Sequence, residues 1–297
     1  MTPASTPAAI TEGRVEANGL TFSYLEAGSG PLALCLHGFP DTAYIFRFLL
    51  PELAAAGFHA VAPFMRGYAP TEVPTDGHFQ TGALVADAIA LHEVLGGDRD
   101  AVIIGHDWGA IATYGAAAFA PDRWRRVVTI AVPPLNAVAG AMLTYAQLKR
   151  SWYMFFFQNP LADVVVGLND LEFIANLWQD WSPGHDGTQD VDHVRDALRD
   201  PANLASALAY YRATWQPDLQ VPELQPQQDA CALPTPQPTL YLHGRNDGCM
   251  GVDSAEGAAA FLPAAGSRVE IIEDAGHFLL VEQPTLVNRL IVEHLAG

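Results

Sequence analysis

Basic residues are scarce in this chain. Fifteen Lys and Arg stand against 33 Asp and Glu among 297 residues, which gives a formal net charge of -18. An acidic surface of this kind repels the phosphate backbone of nucleic acids and the head groups of anionic lipids. The composition therefore argues against a nucleic-acid partner and against binding at a membrane surface.

Cysteine is rare as well, with Cys35, Cys231 and Cys249. The number is odd and no two cysteines have the spacing of a metal site, so neither a disulfide framework nor a zinc site is indicated. Cys35 lies in the apolar run Leu32–Leu36, where we expect a small buried hydrophobic side chain. A reducing compartment suits this composition, and we predict a cytoplasmic protein.

Segments for export or membrane insertion are also missing. Residues 1–12 are rich in Thr, Pro and Ala and lack the basic start and apolar stretch of a signal peptide. We predict a flexible N-terminal tail and no secretion. No run of about 18 uncharged apolar residues occurs, so no membrane-spanning helix is predicted.

Apolar residues, by contrast, make up 50% of the chain, enough for one large α/β domain with an inserted subdomain. Asn18-Gly19 between two strand-like runs predicts a β-hairpin. Apolar runs typical of buried strands then alternate with helical patterns. The strand runs are 32–36, 59–63, 101–105 and 127–131, and the helical stretches are 43–56, 82–95 and 110–120. This alternation predicts an α/β fold with a mostly parallel central sheet flanked by helices.

The alternation stops after Pro133-Pro134. Residues 136–236 are rich in aromatic residues and helix formers and contain no convincing strand, so we predict a helical cap inserted after the sixth strand. Residues 216–238 are rich in Pro and Gln and suit an extended return linker. The predicted core comprises residues 13–135 and 237–297, with later strands at 239–243 and 268–272 and later helices at 254–262 and 284–295.

The most informative motif is Gly105-His106-Asp107-Trp108-Gly109. It joins a predicted strand to a predicted helix, which is the context of a nucleophile elbow, except that Asp stands where Ser is usual. A carboxylate is already ionised at neutral pH and can displace a leaving group from sp³ carbon, which forms an alkyl ester. The positive end of the helix dipole would keep Asp107 ionised. The ordinary alternative is an Asp that caps the helix.

Hydrolysis of such an ester needs a base and a group that orients it. His277 follows the last predicted strand, and Asp247 follows the strand before it. The chain order Asp107, Asp247, His277 matches the nucleophile, acid and base of α/β-hydrolases. Asp247 would hold the tautomer of His277 whose Nε2 takes a proton from water. Singly, a surface His and a turn Asp would explain these residues equally well.

The loop His37-Gly38-Phe39-Pro40 follows the predicted strand 32–36. In this fold such a loop donates one backbone N–H to an oxyanion hole, and the residue after the nucleophile donates the second. These donors would be Phe39 and Trp108, and the oxyanion would form on the carboxyl group of Asp107. A tight turn rich in Gly and Pro is the alternative interpretation.

Together these motifs resemble the α/β-hydrolase-fold epoxide hydrolases over essentially the whole chain after the tail. The matching segments are His37–Pro40, Arg66-Gly67-Tyr68, Gly105–Gly109, Asp247 and Gly276-His277. Asp at the elbow narrows the resemblance to epoxide hydrolases and the related haloalkane and haloacetate dehalogenases. The resemblance implies a small apolar epoxide and water as substrates, with no metal and no organic cofactor. It leaves open whether the chain forms a homodimer.

The resemblance also implies two cap tyrosines that protonate the epoxide oxygen. Tyr153 lies in an aromatic stretch that ends in Phe157-Gln158-Asn159-Pro160, and Tyr211 precedes Arg212. A phenol is neutral at pH 7 and can donate to the oxygen as the ring opens. Tyr210 would replace Tyr211 if the register is off by one. The predicted substrate-binding residues are Phe39, Trp108, Tyr153 and Tyr211, although aromatic residues in a lid are commonly packing residues.

Two other functions stay open. A dehalogenase could use the same Asp-His-Asp triad with Trp108 as a halide donor, but haloalkane dehalogenases commonly carry Asn or Glu where this chain has Phe39. Fluoroacetate dehalogenases carry Arg residues shortly after the nucleophile, and residues 108–113 contain none. A non-catalytic receptor on the same fold would not need the complete set of acid and base, so that set favours an enzyme.

Overall fold

The computed structural model describes residues 8–297, and the centre of this part of the chain is an eight-stranded sheet. The strands are β1 (Thr11–Ala17), β2 (Leu20–Gly28), β3 (Leu32–Leu36), β4 (His59–Pro63), β5 (Val102–His106), β6 (Arg126–Ile130), β7 (Thr239–Gly244) and β8 (Arg268–Ile272). Their spatial order is β1-β2-β4-β3-β5-β6-β7-β8. β1 pairs antiparallel with β2, and β2 pairs antiparallel with β4. The other six strands, β3 to β8, are parallel to one another, which confirms the predicted mostly parallel sheet.

The N-terminal boundary differs from the prediction. Residues 1–7 of the predicted tail lie outside the described residues, but β1 begins at Thr11. Thr11 pairs with Glu26 and Glu12 pairs with Leu25, so the hairpin around Asn18-Gly19 extends further than expected. The prediction of a flexible tail as far as Glu12 is therefore wrong for its last two residues, because each gains backbone pairing with β2.

Helices of the core cover the sheet. They are α1 (Leu49–Ala55), α2 (Thr81–Val94), α3 (Trp108–Phe119), α12 (Asp253–Glu256), α13 (Leu279–Glu282) and α14 (Pro284–Ala296). α1 packs on α14, and α2 packs on α3. Two predicted helices are each split into a 3-10 turn and a shorter α-helix. The predicted helix 43–56 forms a 3-10 turn at Ala43–Phe46 and then α1, and the predicted helix 254–262 forms α12 and then a 3-10 turn at Ala258–Phe261. β3, β5 and β7 are buried along their whole length, and so is Cys35, as predicted.

A set of helices lies between β6 and β7, so the helical insertion follows the sixth strand. These are α4 (Leu135–Ala141), α5 (Tyr145–Arg150), α6 (Trp152–Phe156), α7 (Leu161–Gly167), α8 (Glu172–Trp181), α9 (Thr188–Leu198) and α10 (Pro201–Trp215). α8 is strongly amphipathic and buries Ile174, Leu177 and Trp178. No helix among residues 8–297 combines the length and apolar character needed to cross a bilayer.

The return from the cap to the core is helical where an extended linker was predicted. It contains 3-10 turns at Pro217–Leu219 and Pro222–Leu224, followed by α11 (Gln225–Ala230). A proline stands at the first or second position of each, where its missing N–H costs no helical hydrogen bond. Gln80 of the core binds the backbone of Val221, and α11 packs on α2 and α3. The proline content thus marks helix starts rather than an extended segment.

Candidate active site

The parallel strands bring the predicted catalytic residues to one edge of the sheet. The loop with Phe39 follows β3, Asp107 follows β5, Asp247 follows β7 and His277 follows β8. Because these strands are parallel, their carboxyl ends meet at the same edge, where α/β sheets place their ligand sites. This topology brings residues that are far apart in sequence into a single cluster.

Asp107 occupies a strained turn between β5 and α3. Its φ of 53° and ψ of -118° are rarely adopted by a residue with a side chain. A Cβ at Gly105 would overlap the carbonyl of Gly109, and a Cβ at Gly109 would overlap the carbonyl of Leu36. The glycines thus allow strand and helix to approach around the turn. Asp107 stands at the N-cap of α3 but makes no side-chain capping bond there, which removes the ordinary capping interpretation.

The Asp107 carboxylate lies between the two predicted oxyanion donors. Its Oδ1 accepts a hydrogen bond of 2.8 Å from the N–H of Phe39, and the adjacent N–H of Trp108 acts with it to lower the pKa of the carboxyl group. Burial raises the pKa of Asp107, whereas His277 and these two N–H groups act in the opposite direction. A Cβ at Gly38 would overlap the carboxylate, so only glycine lets this loop approach so closely.

His277 is placed between the two carboxylates. Its Nδ1 lies 2.9 Å from Oδ2 of Asp247, and its Nε2 lies 3.7 Å from Oδ2 of Asp107. The other oxygen of Asp247 accepts hydrogen bonds from the N–H groups of Cys249 and Met250 at 2.7 and 2.8 Å. Within residues 8–297, Nε2 of His277 has no hydrogen-bond partner although it is buried. The arrangement leaves Nε2 directed at Asp107 and free to take a proton from a water molecule.

The charge of Asp247 governs the protonation of His277. Burial acts to lower the pKa of His277, but the charge and hydrogen bond of Asp247, together with the charge of Asp107, outweigh it and raise the pKa. His106 and His243 lie beside the triad, and both form hydrogen bonds to backbone carbonyls. Burial lowers the pKa of each, which favours the neutral imidazole, so their hydrogen bonds fit a structural role.

The hydroxyl groups of the two predicted cap tyrosines have different surroundings. Tyr153 Oη lies 3.4 Å from the sulfur of Cys249. The buried Tyr211 hydroxyl has no hydrogen-bond partner within the described chain, although its ring packs on Trp108 with 5.0 Å between centroids. Burial, with the charge of Asp107 among the lesser causes, raises the pKa of both phenols well above the ordinary value. Both are therefore neutral donors.

The neighbouring Tyr210 serves the structure instead. Its hydroxyl donates a 2.8 Å hydrogen bond to the backbone carbonyl of Arg66. The guanidinium of Arg66 is itself buried and binds both carboxylate oxygens of Asp87 at 2.6 Å. The Arg66-Gly67-Tyr68 motif and Tyr210 thus belong to one buried network between cap and core, which favours Tyr211 over Tyr210 as the candidate for the second cap tyrosine.

Aromatic rings that the sequence did not single out pack against Phe39 and Tyr153. Phe157 and Trp181 each contact both Phe39 and Tyr153, with centroid distances between 4.9 and 6.5 Å. Asp107 is only 6% exposed. Phe157 belongs to the aromatic stretch around Tyr153, but no local pattern distinguishes Trp181 from other apolar residues of an amphipathic helix.

Asp247, Cys249 and His277 also offer possible ligand atoms for a metal within 4.8 Å of one another. Both oxygens of Asp247 and Nδ1 of His277 are already hydrogen bonded, however. Burial raises the pKa of the Cys249 thiol well above its ordinary value, which disfavours the thiolate that binds metals. The donors therefore fit a catalytic triad better than a metal site.

The sheet order and the elbow define an α/β-hydrolase-fold protein, and the comparisons with known proteins agree. The family described as alpha/beta hydrolase fold matches residues 31–284. Human epoxide hydrolase 4 is 30% identical over 294 residues, which covers 94% of this chain and 76% of that protein. Epoxide hydrolase A of Mycobacterium tuberculosis is 28% identical and covers 97% of this chain and 98% of its own length.

Solved structures extend the similarity. The crystal structure of epoxide hydrolase A from Mycobacterium thermoresistibile superposes with a TM-score of 0.80 at 25% identity, covering 97% of this chain and 99% of that one. This chain therefore belongs to the epoxide hydrolase family of α/β-hydrolase-fold enzymes. It is a hydrolase.

Proposed function

We propose that this enzyme hydrolyses a small apolar epoxide to a vicinal diol through an ester on Asp107. The observation that carries the proposal is a buried carboxylate in a nucleophile elbow with two buried, neutral phenols near it, one of which has a hydroxyl without a hydrogen-bond partner among residues 8–297. The relatives named above, which are epoxide hydrolases, support it.

In the first half-reaction, Tyr153 and Tyr211 donate hydrogen bonds to the epoxide oxygen. Asp107 attacks a ring carbon, the C–O bond to that carbon breaks, and the alkoxide that leaves takes a proton from a tyrosine. The elbow holds the carboxylate ready for this attack, because its turn geometry is set by Gly105 and Gly109 rather than by the substrate.

In the second half-reaction, His277 takes a proton from water, and the resulting hydroxide attacks the carboxyl carbon of Asp107. The N–H groups of Phe39 and Trp108 stabilise the oxyanion that forms there. Collapse of the tetrahedral intermediate breaks the ester bond, and the departing alkoxide takes the proton held by His277 to give the diol. The proton left on the carboxyl group of Asp107 returns to the tyrosinate, which restores the starting enzyme. Asp247 keeps Nδ1 of His277 protonated and stabilises the imidazolium.

Single turnover in ¹⁸O-labelled water tests the ester route. With excess enzyme and styrene oxide, we expect label in the carboxyl group of Asp107 and unlabelled oxygen in the first diol, because water attacks the ester and not the substrate. Mass spectrometry of the diol and of the peptide containing Asp107 measures both. Label that enters the first diol directly would exclude the ester.

A competing substrate tests the leaving group. A halide leaves without needing a proton, whereas an alkoxide requires one, so two hydroxyl donors favour an epoxide over a haloalkane. We expect styrene oxide to yield diol at a rate well above halide release from a bromoalkane such as 1-bromobutane. Halide release without diol formation would replace this proposal by a dehalogenase.

The pH dependence of ester hydrolysis follows from the surroundings of His277. Burial lowers the pKa of His277, and Asp247 and Asp107 raise it. The base must be neutral, so activity is complete above this pKa and is lost as the pH falls through it. Esterification removes the charge of Asp107. We therefore expect the acid limb of ester hydrolysis to lie below the titration of His277 in the free enzyme.

Quenched time courses of ester decay at different pH give the acid limb of ester hydrolysis. NMR titration of the imidazole gives the pKa of His277 in the free enzyme. A limb at or above the free-enzyme titration would contradict the assignment of His277 as the base.

A further inference from the structure

The cap helix α8 ends on the loops that carry the acid and the base. The carbonyl of Trp181, the last residue of α8, accepts hydrogen bonds from the N–H of His277 at 3.0 Å and from the N–H of Gly248 at 3.1 Å. Gly248 directly follows Asp247. A single carbonyl of the cap therefore joins the loop of the base to the loop of the acid.

The next residue of the cap extends this contact. Ser182 Oγ accepts a hydrogen bond of 3.1 Å from the N–H of Phe278 and donates one of 2.7 Å to Glu282. The other carboxylate oxygen of Glu282 accepts a 2.7 Å hydrogen bond from the N–H of Gly276. The N–H groups of residues 276, 277 and 278 are thus bound by Glu282, Trp181 and Ser182, respectively. We call the three residues Trp181, Ser182 and Glu282 the α8 clamp.

Two glycines make the α8 clamp sterically feasible. A Cβ on Gly276 would lie 2.6 Å from the Cα of Ser182, and a Cβ on Gly248 would overlap the carbonyl of Asp180. Trp178, one turn earlier in α8, stacks on Phe278 with 3.4 Å between centroids. The end of α8 therefore approaches the backbone that carries the base closely, through the carbonyl of Trp181 and the packing of Ser182 on Gly276.

We propose that Ser182 and Glu282 are positioning residues that hold His277 at the angle needed for ester hydrolysis. The inference rests on the proposed function, since it assigns the α8 clamp to the second half-reaction of that mechanism. Backbone N–H groups on either side of His277 are fixed by the clamp, and Asp247 fixes only the Nδ1 end of the ring. Rotation of the loop would swing Nε2 away from the ester even with the Asp247 contact intact.

The kinetic signature differs from that of a stabilising contact. Ring opening uses Asp107 and the two tyrosines, and hydrolysis uses His277. Slower hydrolysis alone lowers kcat and KM by the same factor and leaves kcat/KM unchanged, because kcat/KM reports only the steps up to ester formation. A contact that merely stabilises the fold reduces the active fraction, which lowers kcat and kcat/KM together and leaves KM unchanged.

Charge provides a second, independent signature. The titratable groups that face His277 are Asp107, Asp247, Glu282, His106 and His243. The carboxylate of Glu282 is one of the charges that raise the pKa of His277 against the effect of burial. Glu282→Gln removes that charge and should move the acid limb of ester hydrolysis to lower pH, whereas Ser182→Ala keeps the charge and should leave the limb in place.

The experiment follows both half-reactions with styrene oxide by rapid quench and intact-protein mass spectrometry. In Ser182→Ala and Glu282→Gln we expect ester formation at the wild-type rate and ester decay slower by about tenfold or more, as for small displacements of a catalytic group. Ser267→Ala is the matched control, because Ser267 Oγ also accepts a backbone N–H at 3.0 Å but at the start of β7. It should change neither rate.

Three outcomes of this experiment test the positioning role of Ser182 and Glu282. Wild-type ester decay in both variants, or an equal loss of ester formation and decay, would overturn the positioning role while the proposed function stands. An absence of any ester in the wild-type enzyme would overturn the proposed function and the clamp with it. If Ser182→Ala fails to fold, Glu282→Gln carries the test, since Glu282 is partly exposed and glutamine keeps its size.

Discussion

Replacing His277 by glutamine should convert the enzyme into a stable alkyl-enzyme. Glutamine cannot take a proton from water, so ester hydrolysis should slow by about 10²- to 10⁴-fold, the usual contribution of a general base. Ring opening should continue, because Asp107 keeps the hydrogen bond from the N–H of Phe39 and the tyrosines keep their hydroxyls. Intact-protein mass spectrometry should show one equivalent of styrene oxide added to the protein.

His294→Gln is the matched control for this variant. His294 is also buried and bonds to a backbone carbonyl, that of Pro238, but it lies on α14 away from the carboxylate. Its variant should turn over normally and accumulate no adduct. Steady turnover in His277→Gln at the wild-type rate would remove His277 from the mechanism, and an unmodified inactive protein would place it before ester formation instead.

Removal of both cap hydroxyls should abolish the other half-reaction. The double variant Tyr153→Phe with Tyr211→Phe leaves an epoxide oxygen without a proton donor, and we expect ring opening to fall by at least about 10²-fold, the lower end for loss of an acid catalyst. The rings stay in place, so the packing of Tyr153 on Tyr211, with 5.6 Å between centroids, should survive. No ester should form in single-turnover experiments, in contrast to His277→Gln.

Tyr210→Phe separates the two adjacent tyrosines of α10. It removes the hydrogen bond to the carbonyl of Arg66 and should reduce the free energy of unfolding by about 1 kcal/mol, with ring opening retained. Denaturant unfolding and burst kinetics measure the two effects. Full activity in the double variant would reject both Tyr153 and Tyr211, and a loss of ring opening in Tyr210→Phe would transfer the role to Tyr210.

The triad was predictable because each of its members lies in the loop or turn that follows a parallel strand. A motif such as Gly105–Gly109 is read locally, and the common edge of parallel strands then brings Asp107, Asp247 and His277 together without knowledge of the cap. The structure places Nδ1 of His277 2.9 Å from Asp247, as that reasoning expects. The catalytic roles of these residues remain predictions for the experiments above.

The cap was predictable only in outline. Its helical character followed from composition, but the return segment at 216–238 was expected to be extended and instead forms 3-10 turns and α11. Contacts such as that between Gln80 and Val221 stabilise this conformation, and they join residues 141 positions apart. A local pattern of Pro and Gln carries no information about a partner at that distance.

Sequence alone determined the order of the motifs along the chain, the elbow with Asp107 at its centre, and the candidate acid and base. These depend on short segments and on general rules of parallel sheets. Only the tertiary structure decided which of Tyr210 and Tyr211 faces the site. Neighbouring residues of a helix differ by about 100° in direction, and the packing of α10 sets that rotation. The tertiary structure alone also placed Trp181, Ser182 and Glu282 around the loop of His277. These residues bind backbone N–H groups, which every residue type except proline has, so the sequence of residues 276–278 does not reveal the contact.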